Sequence, residues 1–363
     1  TGPAETPEVM LDVLESRFVV AVGGVIGEGQ LRELWSRCLV QRDDETGRPP
    51  HARRLVVNTD LALSRSLLHR LAFTMTDRAI EDLSGRAVIL HAAGLATVDG
   101  DVTALVATSG TGKTTAASML CRSSFGYVTD ETVAVFPDLR VPAFPKPLAL
   151  VDDPARPGDK VHRSPDELGL LDCPAQMRLG RVVLLDRDRQ HRGDPALTRV
   201  PAADAVMYLV GHTSALTRLP RPLQALAGLA TRTAGVWRLT YSEIETATRA
   251  LVDLVAADTA RVGTRFTPLV CEPASVERSP GTLSCAAITD GVDFDDAALL
   301  LVGATPVRLG PLARTIWRRA GTGATDRELL DAVVQEHGEH PDAQHVVADA
   351  TAELLRAGAL LRN

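Results

Sequence analysis

Residues 107–115 read Ala-Thr-Ser-Gly-Thr-Gly-Lys-Thr-Thr, and they join an apolar, β-branched run at 102–109 to a segment of helical spacing at 113–122. The pattern G-x-x-x-x-G-K-[ST] marks a phosphate loop; here Ala107 replaces the first glycine, while Gly110, Gly112, Lys113 and Thr114 are in place. Each residue type answers a physical need. Consecutive backbone N–H groups must curl around phosphate oxygens, which takes glycines at unusual torsions and at close approach. The helix that follows turns its positive end toward the anion. Lys113 can reach the β- and γ-phosphates, and the Thr114 hydroxyl can ligate Mg²⁺. Ala107 is compatible with this loop if its φ stays negative. A glycine-rich turn that binds nothing is the plainer alternative, and the strand before and helix after weigh against it. Ser109, Gly110, Thr111, Gly112, Lys113, Thr114 and Thr115 are therefore the candidate nucleotide-binding residues.

Such a loop demands an α/β fold, and the neighbouring sequence supplies one. The runs RFVVAV and RLVVN suit strands, and the spacing of 29–40 and 63–83 suits helices. Two apolar runs, 87–98 and 102–109, meet at Asp99-Gly100, a hairpin signal. Further strands are expected at 127–136 and 181–186, and a strand then a helix over 236–256. The stretch 143–169 is rich in Pro, Gly and charge and is expected to be loop-dominated. Residues 258–282 carry Pro268, Pro273 and Pro280 with few periodic apolar positions, and so read as a linker.

Composition narrows the function. Among 363 residues, 45% hydrophobic content supports a sizeable core, and the length suits about two or three domains. A net charge of −7 argues against a mainly electrostatic nucleic-acid binder. No apolar run reaches the roughly 20 residues that span a bilayer, so no membrane partner is expected. The first residues, TGPAETPEV, show no signal-peptide pattern although the chain does not begin with Met, and a cytoplasmic location is the expectation. Five scattered cysteines (Cys38, Cys121, Cys173, Cys271, Cys285) suggest neither a zinc site nor a disulfide framework. Basic charge is almost all arginine; the three lysines, Lys113, Lys146 and Lys160, are each worth inspecting.

After the phosphate loop, Gly126-Tyr127-Val128-Thr129-Asp130-Glu131 places two carboxylates at the end of a short strand. Alone this is a solvated turn. Downstream of a phosphate loop it becomes a candidate metal-neutralising acid and base. Lys146, held between Pro145 and Pro147, is a candidate phosphate or substrate contact, with a solvated loop lysine as the alternative.

Three stretches together resemble the HPr kinase/phosphorylase-like family, related in fold to phosphoenolpyruvate carboxykinase. These are Leu90-His91-Ala92-Ala93, Ser109 to Thr114, and Phe125 to Glu131. The likeness covers roughly residues 85–150 well, and to about 256 only by general pattern. It implies that Asp130 is the general base toward a Ser or Thr hydroxyl, with His91 and Lys113 beside it. Glu131 stands where the family has a second Asp and, with Thr114, would be a metal ligand. A buried structural His91 is the alternative. The family's later phosphate-contacting arginine is not clear; Arg178, Arg181 and Arg187 are candidates. The implied cofactors are ATP and Mg²⁺, and because relatives form hexamers a homo-oligomer is left open.

Residues 283–363 resemble a PqqD-like module, a small winged helix that recognises leader peptides. The matching stretches are 297–302, 307–309 and 312–317, followed by helices at 326–337 and 343–355. Gly310 replaces the family's usual Asn. By this resemblance Val307, Leu309 and Val346 line the peptide cleft, where a leader adds a strand. The module carries 12 acidic and 7 basic residues, the wrong sign for a DNA-binding winged helix. His337, His340 and His345 read better as exposed histidines than as a metal site.

The expected fold class is thus α/β, an HPr kinase-like P-loop core with an α+β winged-helix C-terminal domain. The expected domains are an N-terminal α/β region at 1–84 packing with the core, the P-loop domain at 85–257, a linker at 258–282 and the PqqD-like module at 283–363. The expected function is ATP-dependent phosphorylation of a Ser or Thr hydroxyl on a precursor peptide captured through its leader. A small-molecule or protein kinase with an accessory docking domain, and a non-catalytic nucleotide-gated peptide-binding module, are the alternatives.

Overall fold

The computed structural model of the chain describes residues 7–22, 25–40, 52–57, 63–152, 160–257, 265–269 and 279–363. It is a mixed α/β protein with several sheets, and it divides into two compact units. Cys271 and most of the expected linker lie outside the described residues.

The first unit comprises residues 1–199, 212–218 and 236–260. It opens with an antiparallel pair, β1 (Glu8–Val13) and β2 (Ser16–Val22), joined by Leu14 and Glu15 at φ of 50° and 65°. Two left-handed residues in succession match the twist of a tight hairpin. Helix α1 (Val25–Leu34) follows, then β3 (Arg53–Val57), parallel to β2. Helix α2 (Arg65–Leu83) starts where the Ser64 side chain accepts from the Leu67 N–H, and it buries Leu71, Met75, Ala79 and Leu83. That i, i+4 stripe shares one core with β1 and β2 and with Ile89, Ala134 and Phe136 downstream.

Strands β4 (Val88–Ala96) and β5 (Asp101–Val106) form the hairpin that Asp99-Gly100 predicts. From β5 the chain enters the phosphate loop and then α3 (Lys113–Leu120). The expected strand at 127–136 is two strands, β6 (Gly126–Thr129) and β7 (Thr132–Val135), both antiparallel to β4. A register shift at Val128 inserts one extra residue, and Asp130-Glu131 occupies the break between the two. The stretch expected to be loop-dominated contains a hairpin, β8 (Leu148–Val151) with β9 (Lys160–Arg163). Its polar composition hid it, because β9 (Lys-Val-His-Arg) has only one apolar residue in four positions.

Next come β10 (Arg178–Arg187), β11 (Ala196–Arg199), α4 (Ala202–Val210), β12 (Thr213–Ser214), α5 (Pro222–Arg232), β13 (Val236–Tyr241) and α6 (Ile244–Ala256). The main sheet runs β11-β13-β10-β5-β4-β12, with β10 parallel to both β5 and β13. The carboxyl ends of these three parallel strands deliver Ala107, Arg187 and Tyr241 to one edge of the sheet, the usual place for a ligand in such a fold. A core of Leu105, Ala107, Ala116, Leu120, Val183, Leu239 and Leu251 packs α3 and α6 onto it.

The second unit comprises residues 200–211, 219–235 and 261–363. Helices α4 and α5, which the sequence places inside the P-loop domain, therefore group with the C-terminal segment. The segment expected to be a linker contributes β14 (Thr267–Leu269). Strand β15 (Leu283–Cys285) follows, then β16 (Asp290–Asp293), β17 (Ala298–Val302) and β18 (Thr305–Leu309). Strands β14-β16-β17-β18 make an antiparallel sheet with β18 at one edge. Helix α5 is tied to β16 by Gln224, whose backbone and side-chain N–H groups donate to the Asp290 carboxylate at 3.0 and 2.8 Å. Helices α7 (Pro311–Ala320), α8 (Asp326–His337) and α9 (Ala343–Arg356) and strand β19 (Leu360–Arg362) complete the unit. Thr325 and Glu328 close a reciprocal capping box at the start of α8.

Gly126 is a position where neighbouring backbone leaves no room for a side chain. A Cβ there would lie 2.6 Å from both the Asp172 carbonyl oxygen and the Cys173 Cα. Gly126→Ala is expected to cost about 1–3 kcal/mol by forcing 171–173 away from β6, read as a lower urea midpoint at unchanged slope.

Candidate functional site

The phosphate loop is held from below and from one side. Gly110 and Gly112 have φ of 82° and 113°, and Gly112 caps α3 in the left-handed region that favours glycine. The Tyr241 hydroxyl donates to the Thr111 carbonyl at 2.5 Å, and the Thr111 hydroxyl donates to the Thr108 carbonyl at 3.0 Å. Ala107 is fully buried and keeps a negative φ, so its methyl group fills core where glycine would leave space.

Lys113 is buried and folded back on the loop, its Nζ donating to the carbonyls of Ala107 (2.6 Å) and Thr108 (3.0 Å). Burial pulls its pKa down to about 8 against the attraction of Asp130 and Glu131. The Thr114 hydroxyl donates to Asp130 Oδ2 at 3.0 Å. Asp130 Oδ1 accepts from the Tyr127 hydroxyl at 3.3 Å and faces Lys146 Nζ at 3.0 Å. Tyr127 is fully buried, which pushes its phenol well above the ordinary range and keeps it a donor.

Lys146 departs from the sequence expectation of a phosphate or substrate contact. Its Nζ meets Asp130 at 3.0 Å, Glu131 Oε2 at 3.1 Å and the Pro147 carbonyl at 3.3 Å, so all three of its protons are committed to protein acceptors. It is buried; burial opposes its charge, but the two carboxylates hold its pKa above the ordinary lysine value.

His91 lies half-buried on β4, its backbone N–H donating to the His212 carbonyl at 2.8 Å and its neighbour Ala92 donating to the Glu131 carbonyl at 3.0 Å. Burial, with the Lys113 charge adding to it, lowers the imidazole pKa. Ser109 to Thr115, His91, Asp130, Glu131 and Lys146 all line one cleft of about 890 Å³ within the first unit. The sequence missed part of the cleft lining. Lys160 and His162 of β9 and His69 and Phe73 of α2 also line the cleft, the two histidine rings lying 5.9 Å apart. Lysine scarcity was the one signal for it, since all three lysines converge on this cleft. Of the three candidate arginines only Arg187 reaches the cleft, donating to the Ser242 carbonyl at 3.0 Å and pairing with Glu243. Arg178 instead donates to the Asp138 carbonyl, and Arg181 stays half-buried beside Asp101.

Among the described residues no group of three or more His, Cys, Asp or Glu side chains is placed to hold a metal ion. The Thr114 hydroxyl and the Glu131 carboxylate, both on the cleft, are hard oxygens that suit Mg²⁺ held partly by phosphates. No helix among the described residues is long and apolar enough to cross a membrane. In the second unit, Val307 is half-buried and Val346 exposed, but Leu309 is fully buried in the core and cannot line an open cleft. Residues two apart on a strand share a face, and here that face points inward.

No known family model matches the sequence, and no curated protein matches it. Among solved structures, the chain is similar to the Hpr(Ser) kinase/phosphatase from Coxiella burnetii at 11% identity and a TM-score of 0.26, over 46% of this chain and 88% of that one. That likeness is too slight to establish a shared fold.

The site's electrostatics make two predictions. Phosphate binding must recharge Lys113 wherever it is neutral, so nucleotide affinity is full below about pH 8 and falls by up to tenfold per pH unit above it, until the raised pKa of the bound state is reached. Calorimetry of Mg-ADP binding in buffers of different ionisation enthalpy should show uptake approaching about one proton near pH 9. Separately, Lys146→Met strands two carboxylates, one of them buried, and is expected to cost about 3–5 kcal/mol in urea unfolding. Most of that loss should return in the Lys146→Met/Asp130→Asn double variant.

Proposed function

We propose that the protein is an ATP-dependent phosphotransferase that acts on a Ser or Thr hydroxyl of a ribosomally made precursor peptide. The observation that carries this reading is the Thr114–Asp130 contact. It joins a phosphate loop to a buried carboxylate that Tyr127 and Lys146 orient in the same cleft. Lys113 would leave its two carbonyl partners for the β- and γ-phosphates, while loop N–H groups and the start of α3 hold the remaining oxygens. Thr114 with Glu131 would hold Mg²⁺, which when bound neutralises charge on the phosphates. Asp130 takes the proton of the acceptor hydroxyl as its oxygen bonds to the γ-phosphorus. The bond from that phosphorus to the bridging oxygen breaks, and ADP leaves with the electron pair. Lys146 holds Asp130 in place through its ion pair, and His91 stands beside the phosphates as a neutral imidazole.

The peptide part of the reading rests on the second unit, which we take as a PqqD-like module. Strand β18 ends its sheet, and its outer edge offers backbone groups to which a leader can add a strand. Because Leu309 is internal and Val307 shares its inward face, recognition falls to the β18 backbone with Val346. A captured leader raises the effective concentration of its tethered core at the transfer site.

Mass spectrometry of a precursor peptide incubated with ATP and Mg²⁺ should show addition of one phosphoryl group, at least about tenfold faster with the leader attached. Asp130→Asn should abolish transfer while Mg-ADP binding persists. Equal rates without the leader would favour a small-molecule or protein kinase. Nucleotide binding without transfer to any hydroxyl would favour a non-catalytic, nucleotide-gated module.

A further inference from the structure

The lining of the cleft carries a cation that the reaction described above does not use. Hairpin β8–β9 bridges two anchored elements: β8 packs on α3, with Leu148 buried in the same core as Ala116 and Leu120, and β9 packs on α2. In the hairpin register Lys160 lies opposite Val151, and His162 opposite Ala149. Lys160 and His162 are two residues apart and both line the cleft, as strand alternation requires. Arg163 instead pairs with Glu167 and Asp152. The His162 ring is set against His69 of α2, which fixes the face that β9 presents. Lys160 is exposed, and it lies close enough to Lys113 for the two charges to repel, which adds a lesser contribution to the lowering of the Lys113 pKa.

Phosphoryl transfer gathers negative charge on the γ-phosphoryl oxygens, and a cation besides Lys113 and Mg²⁺ would match more of it. The other cations of the cleft are engaged elsewhere. Lys146 is spent on three protein acceptors, and Arg187 is tied to Ser242 and Glu243. We propose that Lys160 is a catalytic residue that contacts the γ-phosphoryl group from the β8–β9 hairpin. This rests on the phosphotransferase reading for its catalytic meaning, but the contact itself is testable by binding alone.

The test compares ADP with the non-hydrolysable β,γ-imido analogue of ATP, each with Mg²⁺, by calorimetry on the full-length chain. Lys160→Met should weaken the imido analogue at least about tenfold and leave ADP within about twofold, since only the former carries a γ-phosphate. Lys160→Arg should restore most of the difference. Equal weakening of both nucleotides, or none of either, overturns the proposal. If the wild-type chain binds neither nucleotide, the phosphotransferase reading fails together with it. If wild type binds both but transfers no phosphoryl group, the γ-phosphate contact still stands or falls on the comparison.

Discussion

The buried pairing of Lys146 with Asp130 is the constraint around which the candidate site is organised. A lysine enclosed by protein is tolerable only where its protons meet acceptors, and here two carboxylates and one carbonyl take all three. The pairing ties the Pro145-Lys146-Pro147 segment to the break between β6 and β7. Through Asp130 and Thr114 it continues to the first turn of α3. A displacement of the Lys146–Asp130 pair would leave a charge without a partner in the protein interior, so the geometry of the candidate site is inherited from the electrostatics beneath it.

That arrangement also explains the division of labour among the cations. Lys146 is structural in its contacts although it lines the cleft. Lys113 rests on loop carbonyls with a pKa of about 8, and an arriving phosphate would keep it charged above that pH. Lys160 stands exposed on the cleft lining. Three lysines in three environments thus bring three different capacities to one cleft, and burial decides which is which.

Part of this was legible along the chain. Asp99-Gly100 marked its hairpin, the stripe over 63–83 marked α2, and the loop glycines marked the turn into α3, because each is a local preference of the backbone or a period of one element. The short β8–β9 hairpin was not legible. Four-residue strands with charged positions carry too little periodicity to be told from loop. Leu309 was misread for a related reason: the sequence shows that it alternates with Arg308, but not which face of the strand turns inward.

The sequence by itself determined the glycine-rich turn into α3, the pair of acids that follows it, and the alternation of strands and helices that an α/β sheet needs. These rest on residues that act through their own backbone torsions or within one element. Only the tertiary structure decided that Lys146 belongs to the carboxylates, that Lys160 and the His69–His162 pair share the cleft, and that α4 and α5 group with the C-terminal unit. Those facts depend on strand order and crossover, which bring together residues separated by tens of positions. They are fixed by the summed burial of whole elements rather than by any local pattern.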